Sequence, residues 1–306
     1  MSGYRDPGYA ASFAGLGTPR ELPRSGGWIL VRDIPGTGRR DAMGCYPLFS
    51  CRDPRGLAAD LEEAGRDLVA VSLVTDPFGD FGGEEGLQEV FPDLARPYKE
   101  HFVVDLAVPF EERTSDHHRR NARRALQLLE VRTVEAPDDP ALLDEWHGLY
   151  RHLIERHGIR GVAAFSRESF DRQLRVPGMV AFRAFHDGNP VGMTLWYRQG
   201  DVAFYHLGAH SPAGYALRAS FALFQQALEH FAATGVGQAG LGAGAGARGP
   251  GSDGLRRFKE GWSTGTRTAW LCGRIFDREA YRDCAERAGT LGFDDYFPLY
   301  RRGEAA

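Results

Sequence analysis

The sequence has no long apolar run and no strong net charge. No apolar stretch approaches the roughly 18 residues that a membrane-spanning helix requires. Residues 1–27 contain no apolar signal-peptide segment, so we expect a cytoplasmic protein without a membrane span. The net charge of −4 provides no overall attraction for nucleic acid. Any contact with RNA therefore has to come from a local basic patch.

Cysteines are few, and several common motifs are absent. The sequence predicts free thiols and no metal site, because no C-x-x-C spacing connects Cys45, Cys51, Cys272 and Cys284. It contains no P-loop, no dinucleotide fingerprint, no Ser-His-Asp arrangement and no metalloprotease helix. If the protein is an enzyme, we therefore expect direct transfer between two substrates, without a resident cofactor or a covalent enzyme intermediate.

The composition is that of a globular protein with a substantial core. Hydrophobic residues make up 42% of the 306 residues and charged residues 25%, which suits two ordinary domains or one large one. In the first half, periodicity predicts strands at 28–32, 68–74 and 101–106, with helices at 57–68 and 116–129. Residues 76–86 are predicted to form a turn-rich loop. The Pro- and Asp-containing segment 136–140 is the predicted domain boundary.

The second half has a more distinctive order of predicted elements. Two helices, the second capped by Ser166, precede strands at 180–186, 191–197 and 202–208. Short turns between these strands predict an antiparallel meander. A long helix with an aromatic face (Phe221 to Phe231) comes next. A short strand at 236–241, a glycine-rich loop, a helix at 255–261, a strand at 268–276 and a helix at 278–289 complete the prediction of a mixed α/β fold.

Residues 240–262 combine eight glycines with a short basic segment. Closely spaced glycines allow backbone amides to approach a ligand, and such amides can bind an anion. Arg256, Arg257 and Lys259 place positive charge beside these amides. The alternative is a flexible surface loop closed by an ordinary helix.

The predicted helix at 116–129 has a basic face opposite its apolar face. Ala122, Ala125, Leu126 and Leu129 share the apolar face. The phosphate or tRNA contacts predicted on the basic side are Arg119, Arg120, Arg123 and Arg124, because guanidinium groups suit phosphate oxygens. Alternatively, these arginines form a solvated surface paired with Glu111, Glu112 and Asp116.

Three segments resemble the Fem branch of the GNAT superfamily of N-acyltransferases. They are residues 98–106 (YKEHFVVDL), the basic helix beginning at His117 (HHRRNARRA) and residues 254–262 (GLRRFKEGW). The resemblance implies two fused GNAT-like domains, each a twisted, mostly antiparallel sheet flanked by helices. We assign an irregular N-terminal arm to residues 1–27, a degenerate GNAT-like domain to 28–135 and the acyltransferase domain to 136–306.

The resemblance also implies an activity. Fem-like proteins move an amino acid from aminoacyl-tRNA to an amine and so form peptide bonds outside the ribosome, whereas ordinary GNAT enzymes use an acyl-CoA. The segment at 210–218 has only one glycine where ordinary GNAT enzymes have a glycine-rich pyrophosphate loop, which disfavours CoA as the donor. We therefore expect aminoacyl-tRNA as co-substrate and a small-molecule or peptide amine as acceptor, in cell-wall or natural-product biosynthesis. The alternatives are an acyl-CoA-dependent N-acyltransferase of the same fold and a non-catalytic binding protein.

Lys259 and His206 are the predicted catalytic residues. The resemblance implicates the lysine of the Phe258-Lys259 pair, whose charge would stabilise an oxyanion; alternatively it is a solvated helix lysine. A neutral His206 would accept the proton of the attacking amine; alternatively it is a half-buried structural histidine. Strand alternation places Tyr205 on the opposite face from His206. Predicted donor-binding residues are Arg257, Gly242, Gly244, Gly246 and Tyr215, and second-rank candidates are Tyr205, Asn121 and Asp105.

Overall fold

The computed structural model describes residues 1–135, 139–158, 161, 164–244 and 252–304. The first half contains α1 (Pro7–Ala11), β1 (Thr18–Leu22), β2 (Gly27–Ile34), β3 (Arg39–Gly44), α2 (Leu57–Ala64), β4 (Ala70–Val74), α3 (Gly83–Val90), β5 (Leu94–Asp105), α4 (Phe110–Arg113), α5 (Asp116–Leu126) and β6 (Glu130–Glu135). The second half contains α6 (Pro140–His157), α7 (Arg167–Leu174), β7 (Met179–His186), β8 (Asn189–Gln199), β9 (Val202–His210), α8 (Pro212–Ala216), α9 (Ala219–Ala233), β10 (Gln238–Ala243), α10 (Ser252–Glu260), β11 (Gly265–Ile275) and α11 (Arg278–Arg287).

Within the described residues, eleven strands form one continuous sheet. Their order is β1-β2-β3-β4-β11-β5-β10-β9-β8-β7-β6. The pairs β3–β4 and β9–β10 are parallel, and the other pairs between these strands are antiparallel. Helices cover both faces of the sheet. The predicted mixed α/β class with a mostly antiparallel sheet is therefore confirmed.

Local signals account for the best-predicted elements. Ser166 caps α7, since its hydroxyl accepts a hydrogen bond from the backbone NH of Ser169 at 3.1 Å. The meander β7–β8–β9 turns through residues with positive φ, Asp187 and Gly188 after β7 and Gly200 after β8. Each turn joins strands in antiparallel register, as expected from the sequence.

The two faces of the sheet carry separate cores. On one face, α6 and α7 pack through Trp146 and Phe170 against a cluster that includes Leu195. On the other, α5 and α9 pack through Ala122 and Phe224 against a cluster that includes Trp196. Successive residues of β8 thus serve opposite cores, as strand alternation requires. We call these the α6 face and the α9 face.

Several segments differ from the sequence prediction, including β3, which was not predicted, and β5, which begins seven residues earlier than predicted. Residues 1–27, predicted to be an irregular arm, contain α1 and β1, and their aromatic side chains are buried because they pack against the α6 face. The predicted loop at 76–86 contains the start of α3. Strand β6 was not predicted. It lies at the sheet edge beside β7, and its own residues are only half-buried or exposed.

The division at residues 135 and 136 stays a prediction. Strand pairing connects the two sides of this boundary, because β6 pairs with β7, and β11 inserts between β4 and β5.

Candidate functional site

The parallel strands β9 and β10 separate partway along their length. Their pairing ends at Gly240 and Phe204. Beyond this point β9 remains paired with β8 as far as His210, while β10 remains paired with β5 as far as Ala243. A bulge interrupts each of these two ladders near the point of separation. A wedge-shaped opening in the sheet results, which we call the gap.

Lys259 of α10 reaches this gap. Its side chain is 5% exposed, and Nζ donates a hydrogen bond to the carbonyl oxygen of Ala243 at 2.6 Å. Nζ also lies 5.6 Å from the centre of the Tyr205 ring. A Cβ added at Gly242, whose φ is 75°, would lie 3.2 Å from Nζ, so a side chain there would crowd the ammonium group.

The environment lowers the pKa of Lys259 to about 7, first because burial disfavours the charged form and second because Lys99 is a nearby positive charge. This amine can therefore exist in either protonation state near neutral pH. As an ammonium group it can stabilise an oxyanion, and the catalytic role of Lys259 stays a prediction.

We expect the buried lysine to make folding stability depend on pH. Between about pH 7 and pH 10 the unfolded chain binds a proton that the folded chain has lost at Lys259, so this contribution to stability rises with pH. Measured by urea unfolding, the free energy of unfolding of the wild type should rise by about 1–3 kcal/mol relative to that of Lys259→Met between pH 7 and about pH 9.5. A difference that does not change with pH would contradict the lowered pKa.

An aromatic cluster holds α10 in place. Trp262, just after the helix, is fully buried among Phe224, Phe258 and the ring of His118. The imidazole of His118 connects α5 to α10, because Nε2 lies 2.9 Å from the carbonyl oxygen of Phe258 while Nδ1 lies 2.8 Å from the Ser115 hydroxyl. A Cβ at Gly261 would overlap this imidazole, so glycine is required for the close approach. The position of Lys259 thus depends on α5 and α9.

The structure does not bring His206 together with Lys259. His206 lies on the α6 face, where Nδ1 is 3.2 Å from the Tyr4 hydroxyl and Nε2 is 3.0 Å from Oε1 of Gln173. Burial lowers its pKa to about 3. Tyr205 lies on the α9 face, as strand alternation predicted, and burial raises its pKa. Both nitrogens of His206 are engaged in the core, so this geometry favours the structural alternative over a proton acceptor.

The predicted phosphate-binding arginines differ in their exposure and in their ion pairs. Arg119 pairs with Asp116 and is half-buried. Arg120, Arg123 and Arg124 are exposed. No carboxylate oxygen of the described residues lies within 4.0 Å of their guanidinium nitrogens, so none of the three forms an ion pair there. The alternative of a surface neutralised by nearby acids therefore applies to Arg119 alone.

The second-rank candidates on and near α5 have structural contacts. The amide of Asn121 donates to the carbonyl oxygen of His117 at 2.8 Å, and its oxygen accepts from Arg218 at the start of α9. Asp105 is exposed at the end of β5, where its carboxylate accepts from the NH of Ala107 at 3.0 Å. Asn121 thus connects two helices, and Asp105 stabilises a turn.

The predicted donor-binding residues lie in three places. Gly242 is at the β10 bulge beside Lys259, and Gly244 follows the strand near Arg256. Gly246 lies outside the described residues. Arg257 is exposed on α10. Tyr215 lies away from them on α8, where the guanidinium carbon of Arg156 is 4.2 Å from its ring centre.

Sequence reasoning missed Lys99 and His101. His101 is the ladder partner of Ala243, is 8% exposed, and has no hydrogen bond from its ring to any described residue. Burial, then Lys259 and Lys99, lower its pKa to about 4. The sequence signal that could have linked Lys99 to His101 was their spacing of two residues in a strand, which places both side chains on one face. That spacing does not reveal the neighbouring gap.

Comparisons with known proteins identify a related family and related folds. Residues 113–260 match the family described as the acetyltransferase (GNAT) domain. No curated protein is similar enough in sequence to match the chain. In the described residues, no helix is long and apolar enough to cross a membrane.

Solved structures share the fold over nearly the whole chain. FemX is 13% identical, with a TM-score of 0.66 over 90% of this chain and 92% of FemX. The C-terminal domain of a putative lysylphosphatidylglycerol synthetase from Agrobacterium fabrum is 18% identical, with a TM-score of 0.63 over 90% of both chains. L-PGS from Bacillus licheniformis is 17% identical, with a TM-score of 0.57 over 90% of this chain and 93% of that one.

Proposed function

We propose that this protein transfers an aminoacyl group from aminoacyl-tRNA to an amine, because residues 113–260 match the acetyltransferase (GNAT) family and the chain shares the fold of FemX. The acceptor is a small molecule or a peptide. The observation that carries the proposal is the unpaired basic surface of α5, which is physically connected to the helix that carries Lys259.

The basic surface consists of Arg120, Arg123 and Arg124, which form no ion pair with a carboxylate of the described residues. Arg123 also borders a groove of about 370 Å³ between α4, α5 and α9, which Glu111 lines as well. Exposed guanidinium groups suit a polyanionic backbone, and their attraction for it depends on salt. The overall charge of −4 makes such a local patch necessary for any RNA contact.

Two contacts fix α5 relative to the reactive end of the molecule. His118 connects α5 to the backbone of α10, and Asn121 connects it to Arg218 at the start of α9. A tRNA held by α5 would therefore lie at a constant distance from Lys259. Positioning of this kind is what transfer between two bound substrates requires.

At the gap, the neutral acceptor amine attacks the ester carbonyl carbon of the aminoacyl group. A C–N bond forms, and the carbonyl oxygen becomes an oxyanion that the Lys259 ammonium stabilises. When the intermediate collapses, the C–O bond to the ribose breaks. The ribose oxygen then takes up a proton, and the amine nitrogen gives one up. Lys259, with a pKa of about 7, is suited to donate to the oxyanion and to recover its proton.

The segment between β9 and α9 favours tRNA over CoA as donor. Its only glycine, Gly214, is buried, and its NH donates to the Ser211 hydroxyl at 3.2 Å. A Cβ at this position would overlap the carbonyl oxygen of Val191. Gly214 therefore serves close packing against β8, and its amide is already engaged instead of being open to a pyrophosphate.

We expect charge reversal on α5 to weaken tRNA binding. The double variant Arg123→Glu/Arg124→Glu should bind bulk tRNA at least tenfold more weakly at moderate salt, with a shallower dependence of affinity on salt concentration, because fewer counterions are released. Arg282→Glu/Arg287→Glu makes the same charge change on the exposed side of α11 and serves as the control. An unchanged salt slope in the α5 variant, or an equal change in the control, would refute this assignment.

The donor itself is tested by thermal stability in the presence of bulk tRNA, acetyl-CoA or CoA. A ligand that binds the folded state raises the unfolding temperature by mass action. We expect stabilisation by tRNA that weakens with salt, and none by either CoA compound. Saturable stabilisation by CoA compounds would instead make the protein an acyl-CoA-dependent enzyme.

A further inference from the structure

Lys99 and His101 lie beside the gap on the face of the sheet opposite α5. Phe102 belongs to the core of the α9 face, so its neighbour His101, and Lys99 two residues before, lie on the α6 face. The ladder partner of His101 is Ala243, whose carbonyl oxygen binds Lys259. Lys259 therefore approaches the gap from one face, while Lys99 and His101 border it from the other.

The positive charge at this place is not compensated within the described residues. No carboxylate of those residues lies within 4.0 Å of Lys99 or Lys259, although the two lysines are close enough for Lys99 to lower the pKa of Lys259. The nearest acid along the strand, Glu100, lies by the same alternation on the α9 face, where Thr268 donates a hydrogen bond to it at 2.6 Å. Its charge opposes the lowering of the His101 pKa, but it forms an ion pair with neither lysine. Two like charges beside one opening are unfavourable unless a negative group accompanies them.

The surroundings of Lys99 leave it accessible to a ligand. Lys99 is half-buried, and its Nζ lies 4.9 Å from the centre of the Tyr98 ring, which is 46% exposed. His101 contributes a neutral imidazole whose nitrogens have no hydrogen-bond partner among the described side chains and backbone groups. A cation and an unengaged imidazole thus border the same opening, and an exposed aromatic ring lies beside the cation.

We propose that Lys99 binds an anionic group of the acceptor, so that the acceptor is an amine that also carries a carboxylate or a phosphate. This inference rests on the proposed function for the identity of the reaction, and it adds the chemical class of the second substrate. The acceptor enters from the face opposite α5. Its anion pairs with the Lys99 ammonium, His101 donates or accepts one hydrogen bond, and its amine reaches the ester carbonyl beside Lys259.

Binding of small amines tests the proposal without a donor. Two matched pairs of probes differ only in the anion: γ-aminobutyrate against propylamine, and O-phosphoethanolamine against ethanolamine. Affinity for the full-length protein is measured by calorimetry or by the shift in unfolding temperature. At least one anionic amine should bind at least tenfold more tightly than its partner that lacks the anion. The pair that shows this preference identifies the anion as carboxylate or phosphate.

The variant Lys99→Gln should remove this preference by lowering affinity for the anionic amine about tenfold, without lowering affinity for the amine that lacks the anion. Arg274→Gln, which removes a cation from β11 at a ladder position paired with Val71, is the matched control and should bind as the wild type does. Equal binding by the wild type of the amines with and without the anion would overturn the proposal. An equal loss in both variants would do the same.

The two proposals fail in different ways. If tRNA binds through α5 but no anionic amine is preferred, the acceptor class is wrong and the aminoacyl-tRNA reaction stands. If an anionic amine binds through Lys99 but tRNA does not bind, the acceptor site stands and the donor is wrong. Binding of bulk tRNA to Lys99→Gln is measured in parallel, and we expect it to equal that of the wild type because α5 lies on the other face.

Discussion

Replacing Lys259 with Met is expected to lower the rate of aminoacyl transfer by about 10²–10³ while leaving the fold intact. The reduction is the usual effect of removing one donor to an oxyanion in a desolvated site. Folding should not suffer, because Met is apolar and of similar length, and among the described residues the buried ammonium has one hydrogen-bond partner, the carbonyl oxygen of Ala243. The rate is measured as loss of radiolabel from charged bulk tRNA in the presence of the anionic amines described above.

The control is Lys259→Arg, which keeps a positive charge but needs more room in a site where Lys259 is only 5% exposed. It should retain more activity than Lys259→Met if the charge stabilises the oxyanion. A Met variant with a rate within threefold of the wild type would show that Lys259 does not take part in transfer. A large loss of thermal stability in that variant would identify Lys259 as structural.

Replacing Trp262 with Ala is expected to destabilise the protein by about 3–5 kcal/mol. The indole is fully buried between α5, α9 and α10, and its loss leaves a cavity that the surrounding aromatic rings cannot fill without moving. Because this cluster holds α10 in position, activity should also fall under conditions in which the variant remains folded. Urea unfolding measures the first effect, and the transfer rate measures the second.

Trp262→Phe separates packing from hydrogen bonding. The indole nitrogen is buried and has no hydrogen-bond partner in the part of the chain that the structure describes, so phenylalanine removes volume without breaking a hydrogen bond seen there. We expect less than half of the loss found for alanine. Equal losses of unfolding free energy in the two variants would mean that the indole makes a specific contact. An unfolding free energy of Trp262→Ala close to that of the wild type would show that the cluster does not stabilise α10.

Elements with a strong local pattern could be predicted from the sequence alone. The meander of β7, β8 and β9 follows from alternating residues and short turns, and α9 follows from the helical spacing of its aromatic side chains. These signals act within a few residues of chain. Strand β6 and the first 27 residues were missed because their order comes from packing against distant parts of the molecule.

The candidate site divides in the same way. The sequence by itself determined the mixed α/β class, the basic face of α5 and the placement of Lys259 on a helix after a glycine-rich loop. Only the tertiary structure decided that β11 inserts between β4 and β5, that β9 and β10 separate, and that His206 lies in the core of the opposite face. It also decided that Lys99 and His101 meet Lys259 at the gap. The physical reason is that Lys99 and Lys259 are distant in sequence, and no periodicity reports which strands become neighbours or where a pair of strands separates.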